Sequence, residues 1–253
     1  VYTGQELFGG EWLFKGVEPK TFAYVLVLLG LFFLQTKRYG WMVVAFVLAT
    51  HFHFLVGVFW CGFALAGLLL ESKKLLLVLR LGCIFSICTL PFLVLVASSS
   101  LNLDQTEYHL TVNYIYGAIR VPFHVAPFDS PYEFFRDWMP GLIALTLLLV
   151  LLINIRQQFQ NRVIIYTAIV CGIYLLLAFI AAFVDRNTHH LAMLFLFRPN
   201  SLFLLLALII GISYLRSIFP AAKLAFYRIA LSIIPIMTAV SYTHLRAHET
   251  SRN

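Results

Sequence analysis

Charged side chains are scarce in this sequence. Only 11% of its 253 residues are Asp, Glu, Lys or Arg, whereas a soluble domain carries about 25%. Hydrophobic side chains make up 61% of the chain, more than the roughly 50% that is usual for a soluble domain. Too little charge and too much apolar surface together exclude an ordinary soluble domain and indicate a chain that is solvated by lipid.

The sequence also has few cysteines and lacks the common enzyme motifs. The four cysteines show neither metal-ligand nor disulfide spacing and are interpreted as small core residues; they are Cys61, Cys83, Cys88 and Cys171. The sequence contains no Walker A motif, no GxSxG, no HExxH and no dinucleotide fingerprint. The net charge of +7 is interpreted as a membrane-topology signal, so no nucleic-acid partner is expected.

The apolar residues occur in long runs without the period-two alternation of a membrane β-barrel. The runs therefore predict an all-α, polytopic helical membrane protein with about eight membrane helices, some of them short or paired as half-helices. Six runs approach the ~20 residues that cross a bilayer: 21–36, 75–97, 138–155, 163–184, 201–215 and 223–240.

The run 41–70 admits two interpretations. One helix of this length would extend about 45 Å and would bury His51 and His53 near the bilayer centre. Two short helices that meet within residues 50–57 would place both histidines at an extracytoplasmic turn. The second topology puts ten bases and one acid inside, with six bases and nine acids outside, and the positive-inside rule favours it.

This topology defines a membrane domain over residues 1–240, with outer segments at 1–20, 98–137 and 185–200. An interfacial helix is predicted at 108–119 and a half-helix at 191–197. Residues 241–253 contain SYTHLRAHET, which resembles a translated sequencing adapter, and are interpreted as a non-native or disordered tail. The chain is expected to be an internal piece of a longer protein.

In the favoured topology six histidines face the outer side: His51, His53, His109, His124, His189 and His190. The two close pairs offer imidazoles to a metal, although neither spacing is a strong ligand signature. The alternative is hydrogen bonding to the backbone of the loops. In the first outer segment, Glu18 and Lys20 are candidates to bind a polar head group, while Glu18 before a proline also fits a plain helix start.

Arginines in the outer segments suggest a phosphate ligand. Arg120 and His124 lie in the large outer segment, and Arg198 interrupts the otherwise apolar LFLFRPNSLFLL. A guanidinium matches the geometry of a phosphate, and at membrane depth it needs an anion or several carbonyl groups. The alternative is that these are solvated charges that stabilise the packing of the loops.

Two segments resemble membrane glycosyltransferases of the GT-C type. The first is FGGEWLFKGVEPKTFAYVLVLLGLFFLQTKRYGWMVVAFVLATHFHFLVGVFW, with matching positions Glu18, Pro19, Lys20, His51 or His53, and Gly57. The second is RVPFHVAPF, which contains Arg120 and His124. The resemblance implies transfer of a sugar from a polyprenyl-phosphate donor at the outer face of a bacterial inner membrane. It also implies a catalytic Asp or Glu in the first outer loop, sometimes with a divalent metal.

The leading hypothesis is thus part of a GT-C-like glycosyltransferase or polysaccharide-assembly protein, whose partners are the bilayer and a polyprenyl-phosphate sugar. One outer cavity is expected to be lined by Glu18, Lys20, His51, His53, Arg120, His124 and Arg198. No catalytic residue is assigned, and no cofactor is certain, although a divalent metal is possible. The alternatives are a non-catalytic membrane component or transporter, with Tyr166, Thr167 and Tyr174 on a central pathway, and a membrane acyltransferase with a buried histidine base.

Overall fold

The computed structural model describes residues 7–8, 18–101, 115, 125–191 and 194–218. Within these ranges every regular element is helical. The helices are α1 (Pro19–Gln35), α2 (Tyr39–Phe52), α3 (Phe54–Ser72), α4 (Leu75–Leu101), α5 (Met139–Ile155), α6 (Val163–Val184) and α7 (Asn200–Ile218). A short helical turn, Pro131–Glu133, and a π-helical turn, Phe134–Trp138, lead directly into α5.

Five helical segments are long and apolar enough to cross a membrane: Phe54–Ser72, Leu75–Leu95, Pro131–Gln158, Val163–Val184 and Asn200–Ile218. The helices α1 and α2 are apolar but shorter, with lengths of about 25 and 21 Å. The predicted polytopic helical membrane fold is confirmed. The predicted helices at 108–119 and 223–240, and the tail 241–253, lie outside the described residues.

The run 41–70 is two helices, because α2 ends at Phe52 and α3 begins at Phe54. Between them, His53 is extended, with φ −154° and ψ 102°. A Cβ built on Gly57 would lie 2.5 Å from the Cα of Thr50, whereas seven residues of one straight helix span about 10 Å. The chain therefore turns back at His53, as the charge distribution predicted.

Close backbone contact also joins α3 to α6. A Cβ on Gly67 would lie 2.7 Å from the backbone nitrogen of Thr167, so only glycine permits this separation. The helix α6 is the most buried of the five long spans, whereas α4 lies at the edge of the bundle and is the least buried. Leu76 and Ile87 of α4 are 78% and 69% exposed, a surface suited to lipid.

Hydrogen bonds between distant segments define two ends of the bundle. At one end the Asn161 side chain donates to the Gln35 carbonyl, 2.9 Å away, and the Arg162 amide donates to the Glu71 carboxylate, 3.0 Å away. These contacts join the loop that follows α5 to the last turns of α1 and α3, an end of the bundle that was predicted to be the inner one. At the opposite end, described parts of the predicted outer segments meet, since Arg198 contacts His53 and Asn200 contacts Leu7.

Two predicted boundaries of the outer segments differ from the structure. The helix α4 continues to Leu101 and helical turns resume at Pro131, so both ends of the segment 98–137 are helical. Among the described residues of the half-helix predicted at 191–197, Leu194 lies in a 3-10 turn, with its amide donating to the Leu191 carbonyl, and residues 196–199 form turns before α7 starts at Asn200. Phe195 has φ 45°, a left-handed backbone that interrupts a right-handed helix.

Candidate functional site

Two turns contribute one residue each to a polar pair: His53 lies between α2 and α3, and Arg198 lies in the turn before α7. The Nη1 atom of Arg198 lies 2.6 Å from Nε2 of His53. Because a guanidinium only donates hydrogen bonds, Nε2 must accept, and the ring proton is therefore on Nδ1. Both residues were predicted to bind substrate, and the fold brings them together from positions 145 residues apart.

The backbone of Arg198 is tied to the first helix. The hydroxyl group of Tyr24, a fully buried residue of α1, donates to the carbonyl of Arg198 over 3.2 Å. The guanidinium carbon of Arg198 lies 4.5 Å from the centroid of the Phe195 ring, within the range of a cation–π contact. The side chain of Arg198 is thus positioned by His53 and Phe195, and its backbone by Tyr24 of α1.

The buried side-chain amide of Asn200 stabilises the turn before α7. Asn200, which is fully buried, accepts a hydrogen bond from the amide of Leu7 at 3.1 Å and donates to the carbonyls of Phe8 and Phe197 at 2.9 and 2.8 Å. Four rings pack beneath it with centroids 4.8–5.9 Å apart; they belong to Phe8, Trp138, Phe179 and Phe197. This aromatic cluster gives the turn a rigid base.

Tyr24 and Asn200 were missed by the sequence analysis. A signal for Asn200 does exist, since asparagine after Pro199 and before an apolar run is typical of a helix start. Tyr24 lies within an apolar run, where nothing in the local pattern separates a hydrogen-bonding tyrosine from a packing one.

The other predicted site residues occupy different surroundings. Glu18 is the exposed residue that precedes α1, and Lys20 lies partly buried in the first turn of that helix. His51 hydrogen-bonds through Nδ1 to the Val47 carbonyl at 2.8 Å, and its ring lies 5.1 Å from that of Phe92 on α4. Arg120 and His124 lie outside the described residues. Of the residues expected to line one outer cavity, Arg198 and His53 are in direct contact.

A second polar cluster lies between the ends of α5 and α6. The Nε2 atom of His189 is 3.9 Å from a carboxylate oxygen of Asp129, and Arg186 lines the same open cleft. Within the described ranges, however, no three His, Cys, Asp or Glu side chains are grouped to hold a metal ion. The described residues therefore provide no ligand set of this kind for the divalent metal that the resemblance allows.

Two of the residues proposed for a central transport pathway, Thr167 and Tyr174, form packing contacts. The hydroxyl group of Thr167 donates to the Val163 carbonyl at 2.9 Å, and its backbone lies against Gly67. The ring of Tyr174 packs against those of Phe59 and Phe63, with centroids 5.3 and 5.2 Å away. The interface between α3 and α6 is closed at these positions.

The fold and the polar pair at one end of the bundle define a class of protein, a multi-pass helical integral membrane protein. No family model matches the chain, and neither a curated protein nor a solved structure is significantly similar to it.

Proposed function

We propose that the chain is part of a GT-C-like membrane glycosyltransferase or polysaccharide-assembly protein, in which Arg198 binds the phosphate of a polyprenyl-phosphate-linked sugar at the extracytoplasmic face. The contact between Arg198 and His53 carries this proposal. It holds a permanent positive charge at one end of an apolar bundle.

The chemistry of arginine supports an anionic ligand. Its guanidinium stays charged at every physiological pH and presents planar donors that match phosphate oxygens. Arg198 also lies two residues before the start of α7, where the positive end of the helix dipole adds to the attraction for an anion. Lys20, in the first turn of α1, occupies the corresponding end of another helix.

In the proposed reaction, an acceptor hydroxyl attacks the anomeric carbon of the donor sugar. The new glycosidic bond forms as the bond to the phosphate oxygen breaks, and polyprenyl phosphate leaves with the electron pair. Arg198 stabilises the charge that develops on this leaving group. The acceptor proton goes to a carboxylate, the role that the resemblance gives to an Asp or Glu in the first outer loop.

A second function, that of a non-catalytic component which binds the lipid phosphate, is favoured by one detail of the pair. The Nε2 lone pair of His53 already accepts a hydrogen bond from Arg198. That nitrogen therefore cannot take a proton from an acceptor hydroxyl while the pair is intact. Binding of a phosphate does not need this proton transfer, whereas glycosyl transfer needs a base elsewhere.

Binding and transfer should be measured on the same protein in nanodiscs. Polyprenyl phosphate is the probe for binding, followed by native mass spectrometry, and a polyprenyl-phosphate sugar is the donor for transfer. We expect Arg198→Gln to weaken binding at least tenfold, while Arg186→Gln, which alters an exposed arginine at the same end, changes it less than twofold.

The outcomes separate the two functions. Binding that depends on Arg198, together with transfer of the sugar, supports the glycosyltransferase. Binding with the same dependence and no transfer supports the non-catalytic component. Equal affinities for the wild type and Arg198→Gln would overturn the phosphate site itself.

A further inference from the structure

The helix α4 carries an apolar stripe on its exposed side. Leu76, Cys83 and Ile87 follow one another at spacings of seven and four residues, so they lie on one face of the helix. Leu76 and Ile87 are 78% and 69% exposed, and Cys83 is exposed as well. On the opposite face Leu81 and Phe85 are buried, and α4 packs against α2 and α3. Because α4 is long and apolar enough to span a membrane, the stripe is expected to contact lipid chains.

Arg80 interrupts this stripe with a charge. It follows Leu76 by four residues and precedes Cys83 by three, so it lies on the same face, and it is exposed. It lies about 8 Å along the helix from Leu75, within the apolar segment Leu75–Leu95. Side chains on a helix lean toward its N-terminus, and a long cationic side chain near the end of a membrane helix extends to the head-group layer. The guanidinium is therefore expected at the end of α4 where the helix begins.

Two lysines precede α4 at the same end. Lys73 ends α3 with a left-handed backbone, φ 54°, and Lys74 directly precedes α4. Both residues are exposed, and the ion pairs between described residues include neither of them nor Arg80. Glu71, the acid nearest in sequence, accepts a hydrogen bond from the backbone amide of Arg162. Within the described part of the chain, three cations thus lie at one end of the stripe without an ion pair.

Cations beside an apolar stripe match the chemistry of an anionic phospholipid. Its phosphate attracts lysine and arginine side chains, and its acyl chains can lie along a helix that faces lipid. A zwitterionic phospholipid has the same chains, but its own cation offsets the charge of the phosphate. A soluble anion has no chains and gains nothing from the stripe. Charge and apolar surface together therefore favour the anionic phospholipid over both alternatives.

We propose that the exposed side of α4 binds an anionic phospholipid, whose head group contacts Lys73, Lys74 and Arg80 and whose acyl chain lies along the apolar stripe. This site is at the end of the bundle where Glu71 contacts the loop after α5, whereas Arg198 lies at the other end. The proposal is therefore independent of the ligand proposed for Arg198.

Quenching by nitroxide-labelled lipids measures this preference at the stripe itself. Cys83 is labelled with a small fluorophore, the exposed Cys88 is replaced by serine, and the buried Cys61 and Cys171 are left in place. The whole chain is reconstituted into vesicles of phosphatidylglycerol and phosphatidylcholine, in which one lipid or the other carries the nitroxide on its acyl chain. We expect the binding constant for phosphatidylglycerol at the label to exceed that for phosphatidylcholine at least tenfold.

Substitutions of the cations distinguish a site from the general charge of this end of the bundle. Arg80→Gln, and separately Lys73→Gln combined with Lys74→Gln, should each lower the preference for phosphatidylglycerol at least threefold. The substitution of all three should abolish it. Arg216→Gln is the matched control, because it alters an exposed arginine in the last turn of α7, a helix that packs against α5 and α6. This control should change the preference less than twofold.

The outcomes decide between the occupants of the site. Equal quenching by the two lipids in the wild type, or a preference that survives substitution of all three cations, would overturn the proposal. An equal reduction in Arg216→Gln would also overturn it, because the preference would then arise from the charge of the whole end. Displacement of phosphatidylglycerol by excess inorganic phosphate would assign the cations to a soluble anion instead. If the triple variant is not monodisperse in size-exclusion chromatography, the Arg80 variant and the lysine variant decide by the same criteria.

Discussion

Arg198 and His53 meet at 2.6 Å, between Nη1 and Nε2, at the only residue that separates α2 from α3. The interruption of the helix at His53 and the charge of Arg198 within LFLFRPNSLFLL are therefore parts of one arrangement. Each was conspicuous in the sequence for a separate reason. Together they place a fixed cation between the turn that joins α2 to α3 and the turn that precedes α7.

The hydroxyl group of Tyr24 is expected to stabilise this arrangement. In Tyr24→Phe the carbonyl of Arg198 loses a buried donor, which costs about 1–2 kcal/mol. Thermal unfolding in detergent, followed by the fluorescence of an added thiol-reactive dye, measures the loss. Tyr174→Phe is the control, because the hydroxyl of Tyr174 is buried without a hydrogen-bond partner, and its removal should not lower the melting temperature. An equal decrease in melting temperature in the two variants would contradict a stabilising hydrogen bond from Tyr24 to the Arg198 carbonyl.

The turn at His53 depends on glycine four residues later. In Gly57→Ala the new Cβ would lie 2.3–2.5 Å from atoms of Thr50, two of them backbone atoms. Relief of this overlap requires α2 and α3 to separate, at a cost of roughly 1–3 kcal/mol. Gly62→Ala, on the same helix with no atom within 4 Å of the added Cβ, should be neutral or stabilise by up to about 1 kcal/mol. The melting temperatures of the two variants, compared in one detergent, test the prediction. A melting temperature of Gly57→Ala equal to that of the wild type would refute it.

The helices could be predicted because apolar runs end where charges begin. The helix α6 spans Val163–Val184, as predicted, since Arg162 and Asp185 flank it directly. The turn at His53 was predicted from the distribution of charge over the other loops. Neither inference required knowledge of how the helices pack.

The site could be predicted only as a set of candidate residues. Whether His51 or His53 meets Arg198 depends on how α2 is rotated against α1 and α4, which is decided by packing at many positions. Tyr24 lacked any local signal, and the left-handed Phe195 that ends the expected half-helix is set by its tertiary surroundings. Contacts between residues more than 100 positions apart were beyond the reach of spacing and composition.

The amide of Asn200 is expected to contribute more to stability than any other single polar side chain discussed above. Asn200→Ala leaves the Leu7 amide and the Phe8 carbonyl buried without their partner, which costs roughly 2–4 kcal/mol. Asn154→Ala is the matched control, because Asn154 is exposed and bonds only to the Val150 carbonyl of its own helix. Retention of folded protein after heating, measured by size-exclusion chromatography, should fall sharply for Asn200→Ala and little for Asn154→Ala. A similar fall in both would argue against the link between α7 and residues 7–8.

Asp185 should stabilise the protein in a pH-dependent way. Because hydrogen bonds lower its folded-state pKa below the ordinary value, its contribution is present above that ordinary pKa of about 4 and is lost as the pH falls through the folded-state pKa. At pH 7, Asp185→Ala should lower the free energy of unfolding by about 1–2 kcal/mol, the loss of hydrogen bonds to a charged group. Asp137→Ala removes an exposed ion pair with Arg136 and should cost less than about 1 kcal/mol. The free energy of unfolding, measured by chemical denaturation, should therefore differ between wild type and Asp185→Ala at pH 7. This difference should be smaller at pH 3. If the difference in free energy of unfolding is the same at both pH values, the charge of the Asp185 carboxylate does not stabilise the turn after α6, where it accepts hydrogen bonds from Thr188, His190 and Leu191.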